Sequence, residues 1–128
     1  MKASMAIAHK SAATSFLQLV ASGKVREAYQ NYIGPNFQHH NPFFRGDADS
    51  LRIGMEENAT QHPSKVLEVQ HVLEDGDLVV VHSHIRQSPN DRGTAAVHIF
   101  RFQGDRVIEL WDVGQPVPEN SPNENGMF

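Results

Sequence analysis

Apolar residues recur along the chain with two different periods, and the change of period separates a helical part from a part made of strands. Helical spacing predicts a first helix over residues 4–22 and a second over residues 24–33. A third helix begins at Asp47 or Asp49, whose side chains can accept hydrogen bonds from free backbone N–H groups. The polar and aromatic segment 36–46, which separates the second and third helices, is predicted to be irregular.

From residue 65 onward, apolar residues recur with the period of two that is typical of strands. The predicted strands cover residues 65–73, 78–86, 94–102 and 106–113. Because short turns join these strands in sequence, they should pair as an antiparallel meander. Helices followed by strands predict an α+β fold, in which the helices pack on one face of one curved sheet.

The last two predicted strands are apolar on both faces, whereas a sheet with one face in water alternates apolar and polar residues. One face is predicted to carry Val97, Ile99, Val107, Trp111 and Val113. The other face is predicted to carry Ala96, Phe100, Phe102, Ile108 and Leu110. Since the helices can cover only one face, we expect the outer face to meet a second copy of the chain in a homodimer.

Composition narrows the possible functions. The 128 residues suit a single domain, residues 1–128, with a proline-containing irregular tail from about residue 115. A net charge of −4 argues against nucleic-acid binding, and the absence of cysteine excludes disulfides and thiol catalysis. No apolar run is long enough for a bilayer and no signal peptide is evident, so we expect a cytoplasmic protein without a membrane partner.

Polar chemistry in this chain should depend on its eight histidines. His82 and His84 are two residues apart and share a face of the second strand, and His98 lies in the middle of the third strand. Asp112 lies near the end of the fourth strand. Imidazoles and a carboxylate on apolar strands need partners or a cavity, and a His–Asp pair is a ready general acid and base. The histidines expected to be surface or incidental residues are His9, His39, His62 and His71.

The geometry of the last hairpin decides whether His98 and Asp112 share a face. A two-residue turn would pair Gln103 with Arg106. A three-residue loop with a bulge would instead pair Phe102 with Arg106, and it would place His98 on the same face as Asp112. We favour the bulged register.

One motif invites a metal hypothesis. Gly76 is followed by five residues and then by His82 and His84, an arrangement that resembles the opening of the cupin motif, in which two strand histidines bind a metal. That motif continues with a glutamate, but Ser88 and Pro89 stand in its place, and its second half is missing. We therefore expect no metal, and a His-rich metal site is the least favoured hypothesis.

Five short motifs along the chain form a recognisable combination. They are FQHHNP, GDLV, HSH, HIFR and ELWDVGQP, at residues 37–42, 76–79, 82–84, 98–101 and 109–116. The combination resembles the SnoaL-like polyketide cyclase group of the nuclear transport factor 2-like superfamily. The resemblance implies a cone-shaped fold, in which a strongly bent sheet wraps a long N-terminal helix around an apolar pocket, usually in a dimer. It also implies acid–base catalysis of aldol-type ring closure without metal or cofactor.

The resemblance implies a site as well, with the base near His40 and Asn41 and the hydrogen-bond donor at His98. The group commonly has Asp at position 98 and His at position 110, whereas this chain has His98 and Leu110. A His–Asp pair could therefore be kept as His98 with Asp112. The predicted catalytic residues are His40, His98 and Asp112, with His40 or His98 as the base. The predicted substrate-binding residues are Phe37, Asn41, His82, His84, Phe100, Leu110 and Trp111, although the bulged register would place Trp111 in the dimer interface.

Two functional hypotheses follow. The leading one is a cofactor-independent acid–base enzyme that cyclises or isomerises a small apolar carbonyl compound. The alternative is a dimeric binding or accessory protein, which holds a small apolar ligand without changing it. A retained but unchanged ligand would favour the second hypothesis over the first.

Overall fold

The computed structural model describes residues 8–128, so the predicted beginning of the first helix at residue 4 lies outside the described residues. The helices pack on one face of a five-stranded sheet, which confirms the predicted α+β fold. In chain order, the elements are α1 (His9–Ala21), α2 (Val25–Tyr32), β1 (Ile33–His39), α3 (Ala48–Gln61), β2 (Val66–Asp75), β3 (Leu78–Arg86), β4 (Thr94–Gln103) and β5 (Arg106–Pro116).

The sheet contains one strand that the sequence pattern did not predict. Residues 33–39 form β1, which pairs in parallel with β5 and places His39 beside Leu110. Strand order is β1-β5-β4-β3-β2, so the predicted antiparallel meander is present as four of the five strands. The expectation of an irregular segment holds for residues 40–46 but was wrong for residues 36–39, where Phe37 and His39 are buried while Gln38 is exposed. This alternation covers too few residues to be recognised in the sequence, and the preceding Gly34 and Pro35 are typical of a turn.

The core lies between the helices and the inner face of the sheet. Phe16 of α1 is fully buried, with its ring centroid 6.0 Å from that of Phe100 on β4. Tyr29 of α2 packs against the same Phe16 ring at 5.6 Å. The first turn of α3 is capped as predicted, since the carboxylate of Asp47 accepts a hydrogen bond from the backbone N–H of Ser50 at 2.9 Å.

The β4–β5 hairpin combines features of the two registers considered above. Its turn has two residues, with Gln103 opposite Arg106, so the favoured three-residue loop was wrong. A bulge lies further along instead, because Phe102 pairs with Val107 but Arg101 pairs with Glu109. One extra residue on β5 shifts every later pair by one position.

The bulge also decides which residues face the core. Val107 is fully buried on the inner face, so its predicted place beside Trp111 and Val113 was wrong. Val113 remains on the outer face, where 62% of it is exposed. The chain beyond β5 has no regular structure and returns across this outer face, where the Phe128 ring stacks 4.2 Å from that of His84.

Candidate functional site

An apolar cavity of about 480 Å³ lies between α1, α3 and the inner face of the sheet. Its apolar wall is formed by Leu17, Val20, Leu51, Met55, Leu67 and Ile85. A second depression, of about 560 Å³, lies on the outer face between β3, β5 and the C-terminal tail. We place the candidate site in the inner cavity because it brings together acidic and basic side chains at an apolar wall, as ligand sites do.

His98 and Asp112 meet in this inner cavity. They are direct cross-strand partners on β4 and β5, and both side chains line the cavity wall. Asn41, from the loop after β1, donates a hydrogen bond from Nδ2 to Oδ2 of Asp112 at 3.0 Å. The structure thus brings together three of the predicted site residues, and they come from three separate segments of the chain.

Burial governs the protonation of His98. The residue is 8% exposed, and its Nδ1 atom has no hydrogen-bond partner among residues 8–128. Loss of solvent lowers the pKa of His98, while the negative charge of Asp112 opposes part of that shift. The imidazole is therefore held neutral, which is the form that can accept a proton.

The loop that carries Asn41 is organised by His39. Nδ1 of His39 accepts a hydrogen bond from the backbone N–H of Asn41 at 3.1 Å, so its Nε2 carries the proton and donates to the Arg45 carbonyl at 2.6 Å. The side-chain oxygen of Asn41 in turn accepts from the backbone N–H of Phe43 at 2.9 Å. His39 is 5% exposed, so its predicted surface role was wrong.

His40 points away from the cavity, so its predicted place in the site was wrong. Its Nε2 lies 2.7 Å from a carboxylate oxygen of Glu109, and its ring stacks 5.0 Å from that of Trp111. These partners lie on the outer face of the sheet. The reason is strand alternation, because the preceding residue, His39, is the one that points into the core.

His82, His84 and Trp111 also lie on the outer face, so the expectation that they line the inner pocket was wrong. For Trp111, this is the outward position that the bulged register implied. On β3 the two histidines alternate with buried Val81 and Ser83. His82 lies beside His71 of β2, with 3.0 Å between their Nδ1 atoms, and Nε2 of His84 donates to the carbonyl of Arg92 at 2.7 Å.

Three further predicted binding residues lie in the core beneath the cavity. Phe37, Phe100 and Leu110 are at most 7% exposed and do not belong to the cavity wall. Their apolar side chains pack between the sheet and the helices, where they fix the positions of β1, β4 and β5. Of the predicted substrate-binding residues, only Asn41 contributes to the wall.

The sequence pattern missed several polar residues of the wall, chiefly Lys65, Asn58 and Gln87. Lys65 donates a hydrogen bond from Nζ to Oδ1 of Asn58. Burial lowers the pKa of Lys65. Lys65 shares the strand period with Leu67, a signal that would have placed it on the inner face.

The many histidines of the chain do not cluster as metal ligands. Within the described part of the chain, no three His, Asp or Glu side chains converge as a metal site would require.

None of the helices described is long and apolar enough to cross a membrane.

A mixed sheet covered by helices on one face, with His98 and Asp112 paired across two strands in an apolar cavity, defines an α+β pocket protein. Comparison with protein families makes this more specific, because the model of the SnoaL-like domain matches residues 13–110. The chain therefore belongs to the SnoaL-like family, as its motifs predicted. No curated protein matches it in sequence.

Solved structures share this fold at low sequence identity. A nuclear transport factor 2-like protein of unknown function from Cytophaga hutchinsonii is 17% identical, with a TM-score of 0.68 over 86% of this chain and 92% of that one. A protein from Acidithiobacillus ferrooxidans, provisionally named a polyketide cyclase, is 20% identical, with a TM-score of 0.66 over 81% and 85%. AclR from Streptomyces galilaeus, provisionally named a hydroxylase, is 16% identical, with a TM-score of 0.69 over 84% and 88%. These similarities establish the fold.

Proposed function

We propose that this protein is a cofactor-independent acid–base enzyme that cyclises or isomerises a small apolar carbonyl compound. The observation that carries the proposal is the direct pairing of His98 with Asp112 inside an apolar cavity. A neutral histidine beside a carboxylate can take a proton and hold the resulting positive charge. The neighbour provisionally named a polyketide cyclase supports the same class of chemistry.

In the proposed reaction, the neutral imidazole of His98 removes a proton from the carbon next to the substrate carbonyl. The electron pair of the broken C–H bond forms an enolate, and the imidazolium is stabilised by the carboxylate of Asp112. In a cyclisation, the enolate carbon attacks a second carbonyl, and His98 returns its proton to the new alkoxide. In an isomerisation, the substrate is a β,γ-unsaturated carbonyl compound, so the enolate is a dienolate; His98 returns the proton to its γ-carbon, and the C=C bond moves into conjugation with the carbonyl. Both sequences balance without an oxidant or a reductant.

Asn41 serves as a positioning residue in this proposal. Its amide donates to one oxygen of Asp112 and fixes that carboxylate beside His98. A fixed carboxylate lowers the reorganisation needed when the imidazole becomes charged, which is the main electrostatic contribution of a preorganised site.

The test uses a neutral apolar ketone, 2-tetralone, in D₂O, and measures exchange of its α-protons by NMR. The wild-type protein should accelerate exchange above the buffer rate, and H98A should lose about 100-fold or more of that acceleration. H71A is the matched control, because His71 is an exposed histidine on the other face of the sheet. If wild type and H98A exchange the protons equally fast, the proposal is wrong.

A binding protein is the second candidate, and the lack of a hydrogen bond from His98 Nδ1 to any described residue is the observation that favours it. A catalytic imidazole is usually oriented through its second nitrogen, as metal-free acid–base sites illustrate. Native mass spectrometry distinguishes the candidates, because a binding protein would retain a small molecule and leave it unchanged after incubation.

We also propose that two copies of the chain associate through the outer face of the sheet. Val113 on β5 and Leu73 on β2 are each 62% exposed on that face, so apolar side chains are exposed at two separate places on it, as a large interface would cover. Trp111, whose ring contacts both Arg101 and His40, would lie in the contact. Sedimentation velocity should then give the mass of a dimer, and a monomer at micromolar concentration would contradict the proposal.

A further inference from the structure

The inner cavity contains a cationic side chain that the proposed chemistry does not use. Val66 pairs with Arg86 and Leu67 pairs with Ile85, so the alternation of β2 directs Lys65 to the same face as Leu67. Lys65 and Gln87, the residues just beyond this register, both contribute to the cavity wall. The ammonium group thus lies at the end of the cavity formed by the start of β2 and the end of β3.

Within the described residues, no carboxylate lies within ion-pair distance of Lys65. The acceptor of its side-chain hydrogen bond is the neutral amide oxygen of Asn58. Loss of solvent, with no acidic group opposing it, lowers the pKa of Lys65. The acidic residue of the cavity wall is Asp112, which is bound to Asn41 instead. A half-buried cation is stabilised by an anionic partner, which the neutral amide of Asn58 does not supply.

We propose that Lys65 binds a carboxylate of the ligand, so that the ligands of this cavity are apolar carboxylic acids. The inference rests on the proposed function only in placing the ligand in the inner cavity. Asn58 acts beside Lys65 as the group that orients its ammonium. The apolar wall binds the body of the acid, and the charge-assisted hydrogen bond selects its end group.

The register also predicts which end of the ligand reacts. Ile85 pairs with Thr94, near the Lys65 end of the cavity, whereas His98 lies four residues further along β4. Four residues of a strand span about 13 Å. A carboxylate bound at Lys65 therefore leaves the opposite part of an extended ligand beside His98 and Asp112. This spacing fits an acid whose carbonyl group is separated from its carboxylate by an apolar body.

The experiment compares matched pairs of acid and neutral amide by isothermal titration calorimetry. The pairs are 2-naphthoate with 2-naphthamide, a compact bicyclic body, and decanoate with decanamide, an extended one. Wild type should bind at least one acid about tenfold or more tightly than its amide, as expected for a hydrogen bond to a charged group. K65M should lose this preference while its affinity for the amide stays within about twofold.

Two further variants test whether the preference for the acid depends on the positive charge at position 65 or follows from the loss of any lysine. K65R keeps the positive charge and should keep most of the preference, whereas K10M removes an exposed lysine of α1 and should keep all of it. A wild-type protein without preference in either pair, or without binding to any of the four probes, overturns the inference. A preference that survives in K65M overturns it as well. The calorimetry tests carboxylate binding at Lys65, whereas deuterium exchange of 2-tetralone tests acid–base catalysis at His98. Failure of one proposal can therefore be told apart from failure of the other.

Discussion

His98 and Asp112 face each other across β4 and β5 because one extra residue is accommodated on β5 between the hairpin turn and Asp112. Without that bulge, the two-residue turn would place Trp111 opposite His98 and would turn Asp112 to the other face. The bulge therefore assembles the candidate acid–base pair. Bulges are common beside active sites, where they redirect a side chain.

The lowered pKa of His98 predicts how stability depends on pH. Below the unfolded-state pKa of about 6.5, the unfolded chain binds a proton that the folded protein resists. As far as His98 is concerned, the free energy of unfolding should therefore be highest above pH 6.5. It should fall as pH drops towards the lowered folded value, by up to about 1.4 kcal/mol per pH unit from this residue. Urea unfolding of wild type and H98Q at pH 7.5, 6.5 and 5.5 measures this, and parallel pH dependences would contradict the prediction.

Adjacent histidines should respond in opposite ways to substitution. H39A removes the acceptor of the Asn41 N–H and the donor to the Arg45 carbonyl, so it should destabilise the protein by about 1–3 kcal/mol. It should also speed amide hydrogen exchange in residues 40–46 and reduce exchange of 2-tetralone. H40A removes an exposed side chain from the outer face and should leave 2-tetralone exchange nearly unchanged. If H40A loses the activity and H39A keeps it, the base is the residue that the sequence motif implied.

Gly54 and Phe44 should be coupled in a double-mutant cycle. A methyl group at Gly54 would lie 2.3 Å from Cε1 of Phe44, so G54A must displace that ring from α3. In the F44A background the clash is absent, and the same substitution should stabilise the helix by about 0.5–1 kcal/mol. Thermal unfolding of the four proteins tests the coupling. Equal effects of G54A in both backgrounds would show that Phe44 does not pack on α3.

The proposed dimer predicts different effects for two exposed apolar residues. V113D places a charge on the outer face of the sheet and should shift sedimentation velocity from dimer to monomer. I53D places the same charge at Ile53, a 47% exposed residue of α3, and should leave the dimer intact. Dissociation by I53D but not by V113D would move the interface to the helical side of the molecule.

Local pattern was enough to predict most of the fold. Helical spacing and strand alternation depend on neighbouring residues, so α1, α2, α3 and the four-stranded meander could be predicted from them. β1 could not be predicted in this way, because a parallel strand forms only when a distant partner, here β5, supplies its hydrogen bonds. His98 and Asp112 could be proposed as a pair because both are polar residues on apolar strands.

The sequence by itself determined the family, the order of elements and the identity of the acid–base candidates, because these depend on short motifs and local periodicity. Only the tertiary structure decided which histidines face the cavity. A shift of one residue reverses the face of every side chain that follows it, and the bulge before Asp112 is such a shift. For His40, His82, His84 and Lys65, strand alternation fixes which residues share a face, and the packing of the helices on one face of the sheet decides which of those faces is inside.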